Sequence, residues 1–441
     1  MTLAFTLVLV GLSIALFAIA SATLWWMLHA WRDPGTLFAT GFARDEAGPA
    51  RTELSFSLLV PARHEEAVLG ETLDQMCSLD HPHFEVIVIV GDDDPGTTAV
   101  ARAAAARHPD TVRVVVDDSV PKNKPKALNA ALPYCRGDVV GIFDAEDEVH
   151  SRLLRVVDTA FRATDSDVVQ GGVQLVDFRS HWYSVRNCLE YFFWFRSRLH
   201  LHERHGFIPL GGNTVFVRTA LLQSVEGYDA QCLAEDCELG VRLSTAGASI
   251  SVAYDPHLVT REETPPTLRA LVKQRTRWNQ GFLQVLRKGV WKGLPTRRQR
   301  ALARYTLSQP FLQAVAGVAI PVSIAAALLF SAPVGIALFS FLPAIPTVGM
   351  VAFEVAGLRD FCRLYYVRAT AGDYVRLVVS TPAYHVLLAF AACRAVAREV
   401  RGERGWEKTA HSGAHRTAAA LVTSREQSEI ADEPVDELVS S

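Results

Sequence analysis

At 441 residues, 49% of them hydrophobic and 21% charged, the chain can bury a sizeable core. Its formal net charge of −3 hides an uneven layout: Thr264 to Arg304 holds eleven Lys or Arg and no Asp or Glu, whereas residues 412–441 have the composition of a disordered acidic tail. Seven cysteines without C-x-x-C spacing argue for free thiols and against a disulfide framework, and a basic stretch that adjoins a long uncharged block argues against nucleic-acid binding.

Met1 to Trp31 contains no Asp, Glu, Lys or Arg and is longer than the apolar core of a secretory signal, so it predicts a transmembrane helix. A signal peptide is the alternative, but Trp25-Trp26 and His29-Ala30-Trp31 form an aromatic interface belt rather than a cleavage site. From Glu53 to about Asp255, short β-branched runs alternate with helical patterns. The runs are Phe56 to Val60, Val86 to Val90, Val112 to Val116, Val139 to Phe143, Val168 to Leu175 and Thr214 to Val217. This alternation predicts an α/β domain over 50–300 with βαβ units and a mostly parallel sheet, whose ligands bind at the carboxyl ends of the strands. Cys188 to His202, rich in Phe, Tyr, Trp and Arg, predicts a helix either in the core or at a lipid headgroup boundary.

Tyr305 to Phe353 runs 49 residues without a charge and fits two membrane passes turning near Ser331-Ala332-Pro333. Leu377 to Cys393, 17 residues including Pro382, completes a membrane region over 305–398. The eleven cations before Tyr305 place the middle of the chain in the cytoplasm. Three passes after that point would leave Arg394, Arg398, Arg401 and Arg404 outside. The third block therefore reads as an interfacial or re-entrant segment, with a third span as the alternative.

Polar chemistry follows the strands. After the strand that ends at Phe143 come Asp144-Ala145-Glu146-Asp147, and hard oxygen ligands in that form suit Mg²⁺ or Mn²⁺ holding a diphosphate. The alternative is a solvated acidic loop. Asp92, Asp93 and Asp94 follow the most apolar strand and suit a base or ribose contact, although with Pro95-Gly96 they also make an ordinary turn. Lys124-Pro125-Lys126 opens a helix, a place for phosphate. Glu235-Asp236 starts another helix, either as electrostatic capping or as a general base for an acceptor hydroxyl. Gln274, Arg277 and Trp278 share one helix face, where an Arg fork can neutralise a leaving phosphate and an indole can stack on a sugar.

In these motifs the chain resembles the membrane-integrated members of glycosyltransferase family 2, relatives of cellulose, chitin and hyaluronan synthases and of ceramide glucosyltransferase. The resemblance runs from Val60 to about His411. It is carried by Pro-Ala-Arg-His-Glu-Glu at 61–66, the Asp run at 92–94, Lys-Pro-Lys-Ala-Leu-Asn at 124–129 and Asp-Ala-Glu-Asp at 144–147. Further along it includes Gly-Gly-Asn-Thr at 211–214, Glu-Gly-Tyr-Asp at 226–229, Glu-Asp at 235–236, Gln-Arg-Thr-Arg-Trp at 274–278 and Trp-Glu-Lys-Thr-Ala-His at 406–411. It implies a GT-A fold, a divalent metal (Mg²⁺ or Mn²⁺) and an inverting displacement. By position it implies that Asp144 and Glu146 bind the metal, and that Asp236 with Glu235 is catalytic. Pro61, Arg63, Glu65, Asp92, Asp93, Asp94, Lys126, Asp144, Gln274, Arg277 and Trp278 would meet the nucleotide sugar, and Gly212, Asn213 and Trp278 the acceptor. Three positions depart from the family pattern: Glu146 replaces the second Asp, Ala234 stands where Thr is common, and the Asp92 run lacks the Asp-Asp-Gly-Ser form.

The implied function is transfer from a UDP-sugar to a polysaccharide or lipid-linked acceptor at the cytoplasmic face of the inner (plasma) membrane, by a multi-pass protein. Membrane lipids and export or polymer-handling proteins are the expected partners, nucleic acid is not. A single-addition glycolipid transferase and a non-catalytic membrane scaffold are the rival readings.

Overall fold

The structure, a computed structural model, describes residues 3–31, 52–330, 333–407, 413 and 416. The expected acidic tail and residues 408–411 of the last motif therefore lie outside the described residues, apart from Gly413 and Arg416. Among the described residues nine strands form two sheets: β1 (Phe56–Ala62), β2 (Phe84–Gly91), β3 (Val112–Asp117), β4 (Val139–Ile142), β5 (Val168–Gly171), β6 (Val173–Leu175), β7 (Val215–Arg218), β8 (Ile250–Ala253) and β9 (Thr260–Glu262). The main sheet has the order β3-β2-β1-β4-β7-β5-β8, with β7 antiparallel to both neighbours and every other pairing parallel. In register, Leu59 lies between Ile87 and Ile142. Successive side chains of β1 enter opposite cores, Leu59 on one face and Leu58 and Val60 on the other, which is why the strand reads as an unbroken apolar run.

The Val168–Leu175 run is two strands. A Cβ on Gly172 would come within 2.8 Å of Tyr254 and 2.9 Å of Val259, so glycine lets the chain pass closely there and leave the main sheet for a parallel pairing of β6 with β9.

The helices are α1 (Leu3–Trp31), α2 (Leu69–Cys77), α3 (Pro95–Arg107), α4 (Lys124–Ala131), α5 (Leu153–Thr164), α6 (Ser184–Phe193), α7 (Leu199–Arg204), α8 (Thr219–Ser224), α9 (Glu235–Thr245), α10 (Leu268–Lys288), α11 (Arg297–Leu329), α12 (Val334–Phe341), α13 (Ala344–Leu364) and α14 (Ala371–Val400). A π-helical turn, Trp194–Arg198, joins α6 to α7, so the aromatic stretch is one continuous rod. Thr267 caps α10 and Gly289, at φ 73°, ends it. Thr296 with Gln299 and Thr370 with Asp373 form capping boxes that start α11 and α14.

Four of the described segments are long and apolar enough to cross a membrane: Thr6–Trp31, Arg297–Leu329, Val334–Leu364 and Ala371–Val400. Ser13 of α1 meets Ser323 of α11 at 3.3 Å, and Tyr305 donates to Thr23 at 3.4 Å while stacking on Trp26. Trp31 packs edge-on against Phe193 and Phe353, tying the end of α1 to α6 and α13.

The helix α14 is anchored to the α/β domain near both of its ends. Near its start Asp373 accepts two bonds from Arg179, at 3.2 and 2.7 Å, and near its end Glu399 accepts from Gln280 at 3.2 Å, Gln284 at 3.1 Å and Arg287 at 2.8 Å. Between them Arg186 donates to the Leu377 carbonyl and to Thr381, and Tyr384 packs with Tyr183 and Leu271.

Candidate functional site

Parallel pairing brings the carboxyl ends of β1, β2, β3 and β4 to one edge, and there a cavity of about 640 Å³ opens. Pro61, Arg63, Glu65, Asp144, Glu146, Gly212, Asn213, Glu235, Asp236, Gln274, Arg277 and Trp278 all line it. His64 (φ 53°) and Thr214 (φ 49°) hold left-handed backbone in the turns beside it, strain of the kind that fold constraints retain at working sites.

Asp92, Asp93 and Asp94 are not among the lining residues. Asp92 pairs with Lys122 at 2.7 Å and Asp93 with Arg63 at 2.6 Å, while Asp94 caps α3 through Thr97 and accepts from the His64 N–H at 2.6 Å. These contacts tie the three acids to the cavity rim, and the acid that lines the cavity on this side is Asp117, at the end of β3. Lys126 also points elsewhere, donating to the carbonyls of Val120 and Pro121. Two residues along a helix is roughly 200° around it, so Lys124 takes the inward position. Its ammonium binds Asp144 and donates to the Gly212 carbonyl at 2.9 Å. Burial works against the Lys124 charge, but Asp144, Glu235 and Asp236 outweigh it and hold the ammonium above the ordinary lysine range.

Glu235 and Asp236 form the first turn of α9 and are sunk against the cavity wall. Asp236 accepts the Cys237 N–H at 2.7 Å, and its other oxygen lies only 3.0 Å from where a Cβ on Gly212 would stand, so glycine there keeps the carboxylate accessible. Burial pushes Glu235 up to about 7, the Asp236 charge adds to the rise, and Lys124 and Arg277 oppose it. Burial also raises Asp236, against its backbone hydrogen bond and the same two cations. Two carboxyl groups between two cations can hold and release a proton near neutral pH.

Beside the same Lys124 ammonium, Asp144 and Glu146 line the cavity, whereas Asp147 does not. Asp147 is fully buried, accepts the Asp144 N–H at 2.8 Å and both Asn213 bonds at 3.1 and 3.2 Å, and is held well above the carboxylate range by burial, Glu262, Asp144 and Glu146. Asn213 also binds Glu262, so its amide is spent on positioning the acidic turn. No group of three or more His, Cys, Asp or Glu suited to a metal ion occurs among the described residues. Mg²⁺ and Mn²⁺ need only one or two protein carboxylates when phosphate and water complete the shell, and Asp144 with Glu146 meets that requirement.

Helix α10 presents Gln274, Arg277 and Trp278 to the same space. Arg277 lies over the Trp406 ring at 4.4 Å, and Trp406 is held in place by its neighbour Glu407, which pairs with Arg394 at 2.7 Å and Arg398 at 3.2 Å. Arg275, bound by Asn187 and Glu190, covers the Trp278 ring at 4.5 Å. Sequence reasoning misses Asp117 altogether and prefers Lys126 to Lys124. Trp406 carries a signal in the sequence only as the indole of the terminal motif.

Beyond Trp278 the cavity continues between α1, α11, α13 and α14, reaching Ile19, Gln309, Met350 and His385. Ile19 is twelve residues from Trp31, about 18 Å along the helix axis.

Comparison with known proteins fits this geometry. The family profile described as "Glycosyltransferase like family 2" matches residues 53–281. The chain is 30% identical over 233 residues to a beta-monoglucosyldiacylglycerol synthase of Synechocystis sp., covering 52% of this chain and 47% of that one. It is 24% identical over 265 residues to a poly-beta-1,6-N-acetyl-D-glucosamine synthase of Staphylococcus epidermidis, covering 57% and 59%. The chain thus spans about half the length of these curated relatives. Its fold is similar to that of a mannosyltransferase from Pyrobaculum calidifontis solved with GDP-Man and Mn²⁺, with a TM-score of 0.57 and 17% identity over 90% of this chain and 99% of that one.

Proposed function

Because this chain belongs to glycosyltransferase family 2 and has the GT-A fold, we propose that it is an inverting, membrane-bound enzyme that moves a sugar from a UDP-sugar to a lipid-linked acceptor. The observation that carries this reading is a single cavity. It holds the Asp144–Glu146 pair, the Glu235–Asp236 pair and Arg277 at one end and runs between apolar helices at the other.

In this reading the nucleotide lies along the ends of β1 to β3, its diphosphate near Lys124 and Arg277. The acceptor O–H gives its proton to Asp236 as its oxygen attacks C1, the new C–O bond forms, and the bond from C1 to the diphosphate oxygen breaks. Lys124 and Arg277 meet the charge that develops on the departing nucleoside diphosphate. A divalent ion held by Asp144 and Glu146 would add Lewis-acid stabilisation of the same charge. Trp278, stiffened by Arg275 and Tyr191, flanks the acceptor path.

The same reading places α1, α11 and the α12–α13 pair across the inner membrane with the α/β domain in the cytoplasm. Helix α14 would lie along the membrane face, because both of its ends bind that domain. Arg394 and Arg398 then stay cytoplasmic, where cation-rich segments belong. Three spans favour a lipid-linked acceptor over a wide polymer channel.

Purified protein incubated with a panel of UDP-sugars and GDP-mannose, with nucleotide release measured, tests the proposal. Release from one UDP-sugar by wild type and its loss in Asp236→Asn are expected. Equal release by both would refute the role of Asp236, and no release from any donor would refute the activity.

A further inference from the structure

Four arginines crowd the place where the cavity passes from the α/β domain into the membrane helices, and two of them are held in ion pairs. Arg186 pairs with Glu354 at 3.0 Å and binds Thr381. Arg275 binds Glu190. Arg196 lies over the rings of Trp31, at 5.1 Å, and Phe192, at 5.3 Å. The fourth, Arg198, lines the cavity and has no ion pair or hydrogen bond among the described residues. It ends the π-helical turn Trp194–Arg198, an irregularity of the type that recurs at functional sites because it shifts side chains around the helix.

Charge counting sharpens the point. Here Arg186, Arg196, Arg198 and Arg275 stand beside Glu190 and Glu354, so two positive charges are left over among these six residues, and of the two arginines without an ion pair only Arg198 lines the cavity. Burial works against the charge of Arg198, and the nearby Tyr305, Glu190 and Glu354 only partly offset it. A cation kept in a partly desolvated wall costs free energy unless an anion joins it. Just beyond, the lining turns apolar, with Ile19 and Ala20 of α1, Ile320 of α11 and Met350 and Val351 of α13.

We infer that this end of the cavity seats a lipid with an anionic headgroup, its phosphate on Arg198, its acyl chains among the membrane helices and a free hydroxyl directed toward Asp236. The inference rests on the reading of the cavity as a glycosyltransfer site and narrows its acceptor. A neutral lipid such as a diacylglycerol would leave the Arg198 charge uncompensated. A phosphate monoester acting as nucleophile would bring no proton for the carboxylate pair to take, so the phosphate is a handle and a hydroxyl is the attacking group.

Wild type, Arg198→Gln and Arg198→Lys are reconstituted with the donor identified by nucleotide release, in phosphatidylcholine vesicles of two kinds. One contains phosphatidylglycerol and phosphatidylinositol, the other diacylglycerol and ceramide. Sugar label should enter the anionic lipid fraction. Arg198→Gln should raise the KM for that lipid on the order of tenfold, as expected for loss of one charge-assisted contact, and Arg198→Lys should recover most of it. Label confined to neutral lipid, label in neither lipid set despite donor turnover, or a lipid KM in Arg198→Gln equal to wild type would overturn the inference. Absence of donor turnover by wild type would instead remove the glycosyltransfer reading beneath it.

Discussion

Asp236 is pulled in two directions: burial disfavours its charge, while Lys124, Arg277 and the Cys237 N–H stabilise it. A base so placed is more basic than an ordinary aspartate, which suits it to accept a hydroxyl proton. Asp236→Asn should lower the transfer rate by about 10²–10⁴-fold at an unchanged melting temperature, checked by initial rates beside thermal unfolding. The Glu235 value near 7 gives a pH prediction with a definite sign. Protonation of Glu235 as the pH drops through about 7 puts a proton into the pair that must take one from the acceptor, so kcat/KM should fall there. Glu235→Gln removes the like charge beside Asp236 and should move that acid limb to lower pH in a pH–rate profile. The shared face of Gln274, Arg277 and Trp278, and the place of Asp236 in the first turn of a helix, were legible in the sequence because they depend on neighbours one to four residues away. Lys124 over Lys126, and the diversion of Asp92 and Asp93 to Lys122 and Arg63, were not. Such choices depend on which side of a turn faces the cavity, and adjacent like residues do not encode that.

The segment after α14 acts on the site through one ring. Arg277 rests on Trp406, and Arg394 and Arg398 hold Glu407, so residues 406 and 407 are clamped against α14 beside the guanidinium. Trp406→Ala should lower kcat/KM about fivefold, the equivalent of roughly 1 kcal/mol of cation–π contact, and Trp406→Phe should retain most of the activity. Glu399 is the matching structural element, since it satisfies Gln280, Gln284 and Arg287 together. Glu399→Ala should cost about 2 kcal/mol and lower the melting temperature by several degrees. The 17-residue apolar block that marked this helix understates it, because its flanks carry charges paired with the α/β domain rather than exposed to water. The break between β5 and β6 was hidden for a related reason. Gly171-Gly172 sits inside an otherwise β-prone run, and only the approach of Tyr254 and Val259 shows that the chain turns away there.

At the scale of the whole molecule, the parallel sheet edge and the long apolar helices are walls of one chamber, and in the proposed function donor and acceptor would meet there, where water and bilayer meet. Apolar block lengths announced the helices, and strand alternation announced the sheet. Their junction was not announced, because Glu354 comes from a distant part of the chain and joins Arg186, Glu190 and Arg198 only when α6 packs on α13. If Asp144 and Glu146 hold a divalent ion, chelator should abolish transfer and added Mn²⁺ or Mg²⁺ should restore it, measured on one sample through the cycle. The most direct test of the central claim follows labelled sugar from a UDP-sugar donor into the lipid fraction of reconstituted vesicles, for wild type and Asp236→Asn. Label in lipid with wild type alone is the predicted result. Label that stays water-soluble with wild type, or reaches lipid equally in both, would contradict it.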